Sequence, residues 1–343
     1  MKKYAIVTGA SPSSIGFLAA KKLASPCPEF GYKVILACRS SDKGRESEGL
    51  IRSAYPTSAV EVVYIHLDLS SFNSIRKFVD DVHALDDGAI VDTTKPGSSL
   101  KILVNNAGIG FPTPFIETSD GLEELVGVNH FGTFLLTQLL LEDLKRAEGG
   151  SRVVMVSSGL HEKNNMMRKR SGKSVEDVVD PSKEKLVLPD FPDGILQSSE
   201  NYDSTQAYQV SKLCNVWYTY ELQRQLDEEA TAGTKSPIRV NALCPGFIPA
   251  TGLIRHAGTF GIFFLRYVLD AFRHFGKGPT RSPEDGAEVI VQAGTSNVAS
   301  TGGQYFKLPK GELIITSVAS SEESMDEAKA KALWELSLKT CRL

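Results

Sequence analysis

Short apolar runs alternate with amphipathic stretches along most of the chain. Residues 4–7, 33–37, 60–67, 100–104, 152–156 and 238–243 form six such runs, and 303–306 is long enough for one short last strand. Runs of this length, closed by turn residues such as Thr8-Gly9, fit strands buried on both faces of a parallel sheet, where no polar side has to alternate with an apolar one. Helical spacing predicts helices over 15–23, 45–54, 74–85, 120–144 as one long helix, and 208–226. In the third of these, Ile75, Phe78, Val79 and Val82 fall on one stripe, the face such a helix buries. Strands alternating with helices, joined by right-handed crossovers, predict a Rossmann-type doubly wound α/β fold with helices on both faces of a parallel sheet. No internal repeat or linker interrupts the pattern, so residues 1–343 are expected to form a single domain.

Two stretches break the rhythm. Residues 86–99 are polar and turn-rich, a surface loop. Residues 163–204 are charged, contain prolines and show weak periodicity; a loop this long inside a compact domain usually serves function, and its position between two motifs described below predicts an insertion near the active site.

Composition narrows the classes. The chain is 41% apolar and 23% charged with a net charge of −3, ordinary for a globular protein and without the basic excess a nucleic-acid partner would require. The five cysteines are odd in number, widely spaced and without a C-x-x-C pair, so buried or idle thiols in a reducing compartment are expected, and neither a disulfide framework nor a zinc site. The six histidines show no metal-ligand spacing, and no metal is proposed. The first strand follows Met1-Lys2-Lys3 directly, and no window of 18 apolar residues occurs; neither signal peptide nor membrane span is expected, and a soluble intracellular protein is.

The chemistry begins at Thr8-Gly9-Ala10-Ser11-Pro12-Ser13-Ser14-Ile15-Gly16, between the first strand and the first helix. Small residues here let backbone N–H groups approach a pyrophosphate, and the helix N-terminus adds partial positive charge. Gly9, Ser11, Ser14, Ile15 and Gly16 are the candidate cradle, an ordinary strand–helix turn being the alternative. At the tip of the second strand stands Arg39 in place of an acid. A guanidinium grips a 2′-phosphate where an acid would repel it, so the cofactor expected is NADPH, with a solvated surface arginine as the alternative. Tyr208 and Lys212 lie four apart on the helix that follows the insertion. They point to one side, and a neighbouring ammonium is expected to lower the phenol's pKa into a range useful for acid–base catalysis.

These segments, in this order, resemble the short-chain dehydrogenase/reductase family, whose phosphate loop reads T-G-x-x-x-G-x-G; here Ser14 takes the place of the middle glycine and the loop is one residue longer. The resemblance spans roughly residues 3–338 and implies further roles. Asp68 and Leu69 would contact the adenine, and Asn106, Ala107 and Gly108 of Asn105-Asn106-Ala107-Gly108 would lie along the cofactor. Asn129 would support a water relay to the lysine, and Ser158, closing Val153–Ser158, would hydrogen-bond the substrate oxygen. Lys212 would also hold the nicotinamide ribose. Pro245, Gly246, Ile248 and Thr251 would meet the carboxamide.

Within the family the chain is similar to retinol dehydrogenases and light-dependent protochlorophyllide reductases, on Ala37-Cys38-Arg39, His66-Leu67-Asp68-Leu69, Ser211-Lys212-Leu213-Cys214-Asn215 and residues 331–337; Thr251-Gly252-Leu253-Ile254-Arg255 leans toward the latter. Three departures lean away from them: Phe247 stands where a cysteine is expected, Ser157-Ser158-Gly159-Leu160 replaces G-S-[IV]-T-G-N, and Gly303-Gln304-Tyr305-Phe306 replaces Y-W-S-W-N. Carbonyl reduction by NADPH is therefore the preferred expectation, double-bond reduction the second, and a non-catalytic NADPH-binding regulator a third of another class. Residues 252–280, with Phe260, Phe263, Phe264, Tyr267, Phe272 and Phe275, are expected to form a lid over an apolar substrate such as a retinoid, steroid or long-chain aldehyde; the same stretch permits peripheral membrane contact, and a core-packing helix is the alternative. The family also implies a homodimer through the helices at 120–144 and 208–226.

Overall fold

The protein is seen in a computed structural model that describes residues 2–57, 60–85, 90, 99–111, 113–162, 195–231, 238–248 and 280–343. Thr251, nearly all of the 252–280 lid, and residues 163–194 of the insertion lie outside them.

Eight strands form one sheet in the order β3-β2-β1-β4-β5-β6-β7-β8. They are β1 (Lys3–Thr8), β2 (Lys33–Cys38), β3 (Val62–His66), β4 (Ser99–Asn105), β5 (Ser151–Val156), β6 (Ile238–Cys244), β7 (Gln304–Lys307) and β8 (Thr316–Ser317). The first seven run parallel, and β8 pairs antiparallel with β7. This is the doubly wound order, with its reversal between β1 and β4. The antiparallel edge was not expected: two exposed residues carry no periodicity to read.

Successive side chains of a strand point to opposite faces, and the two cores divide accordingly. Tyr4 and Ile6 join the core under α3 (Phe72–His83), α5 (Thr133–Leu139), α7 (Ser204–Thr231) and α9 (Glu327–Cys341). Ala5 and Val7 join the core under α1 (Ile15–Leu23), α2 (Ser41–Ala54) and α8 (Pro283–Thr295). Phe78 is fully buried in the first, so Phe78→Ala removes about 3–5 kcal/mol of stability.

Several helices begin earlier than their apolar stripes, because caps start them. Ser40 Oγ accepts from Lys43 N–H at the head of α2, and Ser71 Oγ from Ser74 N–H at the head of α3. Asp203 Oδ1 accepts from Thr205 and Gln206 N–H, which opens α7 four residues before Tyr208. Apolar periodicity does not predict the two C-terminal helices, α8 and α9; their signals are caps, a capping box at Ser282-Pro283-Glu284-Asp285 with proline in the first turn, and Asp326 capping Lys329.

The single helix expected over 120–144 is a correction. The structure has α4 (Glu124–Val126), a π-helical turn at Gly127–Gly132, then α5, a break at Leu140, and α6 (Leu141–Lys145). A π turn holds an extra residue and often marks function; Asn129 sits within it. Gly132 closes it because a Cβ there would stand 2.2 Å from the Leu69 carbonyl oxygen. Among the described residues no helix is long and apolar enough to cross a membrane.

Candidate active site

The candidate residues gather at the C-terminal ends of β1, β4, β5 and β6, the crevice a doubly wound sheet opens where its order reverses. The two loops nearest the reversal are joined. Thr8 Oγ1 donates to the Val104 carbonyl at 3.2 Å and accepts from Asn106 and Ala107 N–H, both at 2.9 Å. Asn106 Nδ2 returns to the Thr8 carbonyl at 2.8 Å. Gly9 has φ +68°, and a Cβ there would be 2.9 Å from Ala107 Cα; one on Gly16 would be 2.4 Å from Asn106 Nδ2. Both positions admit only glycine at this approach.

Ser14 occupies the middle-glycine position and turns its side chain to structural use. Its Oγ donates to the Gly9 carbonyl at 3.0 Å and accepts from Phe17 N–H at 3.0 Å, capping α1. The extra residue of the loop is absorbed at Ser13, which takes the left-handed conformation, φ +63°. Ser11 lies beside the buried Cys38 thiol, and Ile15 packs toward Gly286 of α8. The loop thus keeps the open head of a helix, with small residues around it, as a dinucleotide pyrophosphate requires.

Arg39 is exposed at the end of β2, with Lys43 exposed nearby and Arg45 6.0 Å over the Tyr64 ring. Asp68 Oδ1 accepts from Ser70 N–H and Oγ, and Leu69 is buried behind it. Gly246 has φ +89°, Pro245 is half-buried, and Ile248 is buried against Gly286.

The four catalytic candidates come together. Tyr208 is 3% and Lys212 4% exposed. The Tyr208 hydroxyl lies close enough to the Ser158 side chain for that side chain to favour the phenolate. Lys212 Nζ donates to the Val156 carbonyl at 3.2 Å, and a Cβ on Gly108 would stand 3.3 Å from that nitrogen and 3.0 Å from Asn129 Oδ1. Asn129 is itself locked: Oδ1 accepts from Ile109 N–H, and Nδ2 donates to the Ile109 carbonyl and to Ser211 Oγ. Ser211, which donates on to the Tyr208 carbonyl at 2.8 Å, was not singled out from the sequence; nor were Phe111, Leu160, Tyr202, His161 and Cys244, which also surround the site. Phe111, Leu160, Ile109 and Tyr202 pack around Tyr208, and the Phe111 ring centroid is 5.2 Å from that of Tyr208.

Electrostatics correct one expectation. Tyr208 is pushed above the ordinary phenol range by burial, with the Ser158 side chain pulling the other way. Lys212 does not offset this: its ammonium lies 5.7 Å from the Tyr208 ring centroid and is bonded to Val156. Desolvation of a phenolate outweighs a cation at that remove. The lysine's own pKa is brought down from 10.5 to about 8 by burial.

A buried phenol and a serine hydroxyl beside a glycine-lined helix head suit a dinucleotide-binding oxidoreductase. A profile of the family described as short chain dehydrogenase matches residues 3–169. Human retinol dehydrogenase 14 is 30% identical over 98% of this chain and 85% of its own length. Protochlorophyllide reductase A of rice, Oryza sativa subsp. japonica, is 31% identical over 97% of this chain and 79% of its own. Among solved structures, an uncharacterised protein of Mycobacterium paratuberculosis aligns with TM-score 0.62 at 27% identity, covering all of this chain and 94% of that one. A single-residue variant of actinorhodin polyketide ketoreductase, crystallised with NADPH, shares the fold at TM-score 0.58 and 21% identity, over 90% of this chain and 97% of that one. The chain belongs to the short-chain dehydrogenase/reductase family, oxidoreductases that work with a nicotinamide cofactor.

Proposed function

We propose that the protein is an NADPH-dependent reductase of a carbonyl on an apolar small molecule, a retinoid, a steroid or a long-chain aldehyde or ketone. The observation that carries this reading is the buried Tyr208, its hydroxyl close to the Ser158 side chain and its ring walled by Ile109, Phe111 and Leu160. An apolar wall around two hydroxyls takes a ligand that is greasy except at one oxygen.

When bound, the cofactor supplies a hydride. Ser158 holds the substrate oxygen, and Tyr208 donates a proton to that oxygen as charge develops on it. Lys212 and the locked Asn129 lie against Gly108, where the nicotinamide ribose would rest. Gly9, Ser11, Ser14, Ile15 and Gly16 would hold the pyrophosphate, Asp68 and Leu69 the adenine, and Arg39 the 2′-phosphate. Ala107, Gly108, Pro245, Gly246, Ile248 and Thr251 would line the nicotinamide half.

Tyr208→Phe should abolish turnover of retinal, a ketosteroid and a long-chain aldehyde while NADPH still binds; near-normal turnover would overturn the assignment. The rice relative's name, at 31% identity, favours one second reading, reduction of a double bond in a pigment. Protochlorophyllide, assayed in light and in darkness beside the carbonyl panel, separates the two.

A further inference from the structure

One peptide in the site is held at both of its polar atoms. The Ser158 carbonyl oxygen lies 2.6 Å from His161 Nδ1, and the N–H of the same peptide, from Gly159, donates to Cys244 Sγ at 3.2 Å. A carbonyl can only accept, so Nδ1 carries the ring proton. The opposite nitrogen, Nε2, receives the N–H of Ser321 at 3.3 Å. An amide N–H can only donate, so Nε2 carries the lone pair. One tautomer, and only the neutral ring, satisfies both contacts.

The surroundings favour that neutral ring. His161 is 1% exposed. Its ring meets Tyr305 of β7 edge-on at 5.0 Å, with Cys244 at the end of β6 beside that tyrosine. Two charged side chains face it with opposite effect: Glu162, next in the chain, favours protonation, and Lys307 of β7 disfavours it. They pair with each other at 2.7 Å. Burial, with Lys307 acting in the same direction, outweighs the Ser158 carbonyl and Glu162 and holds the imidazole below its ordinary range.

The far anchor is firm. Ser321 belongs to a segment sewn to α7, the helix that carries Tyr208: Ser320 Oγ is 2.6 Å from the Tyr220 hydroxyl, and Trp217 Nε1 donates to the Glu323 carbonyl at 2.9 Å. Val318 N–H ties the segment's start to Tyr305. The chain from α7 through Ser321 and the imidazole to the Ser158 peptide therefore links the proton-donating tyrosine to the oxygen-holding serine by a second path.

We infer that His161 is a positioning residue for the reaction, a neutral imidazole that fixes the Ser158 peptide relative to Tyr208 and takes its own anchorage from the C-terminal segment. The inference rests on the role given to Ser158 above.

Three variants test it: His161→Phe, which removes both bonds; His161→Asn, whose Nδ2 stands at the Nδ1 position; and His161→Phe combined with Ser158→Ala. His161→Phe should lower kcat about 10–100-fold while the NADPH dissociation constant, read by fluorescence, stays within about twofold. His161→Asn should recover most of the kcat. In the Ser158→Ala background His161→Phe should cost nothing further, because its effect runs through the serine. Losses that multiply in the double variant, failure of asparagine to rescue, or cofactor affinity falling in step with kcat would each overturn it. Ring ¹⁵N spectra of the intact wild-type protein give a readout independent of turnover: a protonated Nδ1 and a bare Nε2 are expected at pH 7, with titration only below the ordinary histidine range. A proton on Nε2, or a ring that titrates at its ordinary value, would overturn the inference even if no carbonyl substrate were found; absence of turnover with the expected spectra would instead count against the proposed function.

Discussion

Replacing Lys212 by methionine should make the protein more stable while it removes activity. The ammonium is buried, and its pKa falls from 10.5 to about 8. The sign follows from proton binding. Between these two values the unfolded chain holds a proton that the native site gives up, so stability rises with pH through that window. Below pH 8 both states are protonated, and the native state carries the whole cost of a desolvated cation. That cost is about 3 kcal/mol at pH 7 and falls to about 1 kcal/mol at pH 9.5. Methionine keeps most of the apolar stem and forfeits the bond to the Val156 carbonyl, a loss of about 1 kcal/mol. The variant should therefore unfold about 2 kcal/mol later than the wild type at pH 7, in urea followed by circular dichroism. The advantage should shrink by about 2 kcal/mol at pH 9.5. Tyr208 and the other buried phenols titrate in both proteins and cancel in the comparison. A methionine variant no more stable at pH 7, or a difference that does not change between pH 7 and pH 9.5, would refute the reasoning. The cation would then be well solvated, and its burial would store nothing for function.

Three further outcomes follow from single residues. Ser13→Gly should stabilise the free protein by about 1 kcal/mol, because it relieves a left-handed backbone at a residue with a Cβ, and should raise Tm in a thermal melt; Ser13→Ala should give no gain. Arg39→Ala should reduce the NADPH-over-NADH preference in KM about 10–100-fold, and an unchanged ratio would reject the phosphate assignment. His130 is buried, and its pKa falls from 6.5 to about 3; the native ring stays neutral while the unfolded one charges, so stability is lost as pH falls below 6.5. The wild type should lose about 2 kcal/mol at pH 5 that His130→Phe retains, as read by urea unfolding at pH 7.5 and pH 5.

What the sequence disclosed and what it withheld divide along a physical line. The parallel strands could be read because most of their residues are buried in the sheet, which leaves short, largely apolar runs between turn residues. Tyr208 and Lys212 could be paired because helix geometry relates positions four apart. Gly9 and Gly16 could be placed in a cradle because a tight strand-to-helix turn demands small residues. None of this depends on distant partners. The helix broken at the π turn could not be read, because its cause is the lock between Asn129 and Ile109, twenty residues away, and the approach of the Leu69 carbonyl to Gly132. His161 could not be read for the same reason: its partners are a neighbour's carbonyl, which any residue offers, and the amide of Ser321, 160 positions on. The α8 cap is a different case. Its serine–proline–acid signal is local, and only attention to caps in place of apolar periodicity was needed to find it.

For the reaction proposed above, the same burial favours one direction of proton transfer. A phenol whose pKa lies above its ordinary range is fully protonated at neutral pH, and so it can give a proton but seldom take one. Beside it, an ammonium near pH 8 is the group more easily neutralised. Oxidation of an alcohol would need Tyr208 as phenolate, against the desolvation that holds the proton on. Reduction needs it as the acid, the form burial already favours. An alkoxide developing at Ser158 is far more basic than any phenolate, so transfer from Tyr208 runs downhill without a lowered phenol pKa. The lysine that fails to acidify the tyrosine from 5.7 Å of its ring is then no defect of the site. Its place against Gly108 and Asn129 suits holding a ribose, and in the proposed reduction the proton would come from a phenol that desolvation keeps loaded.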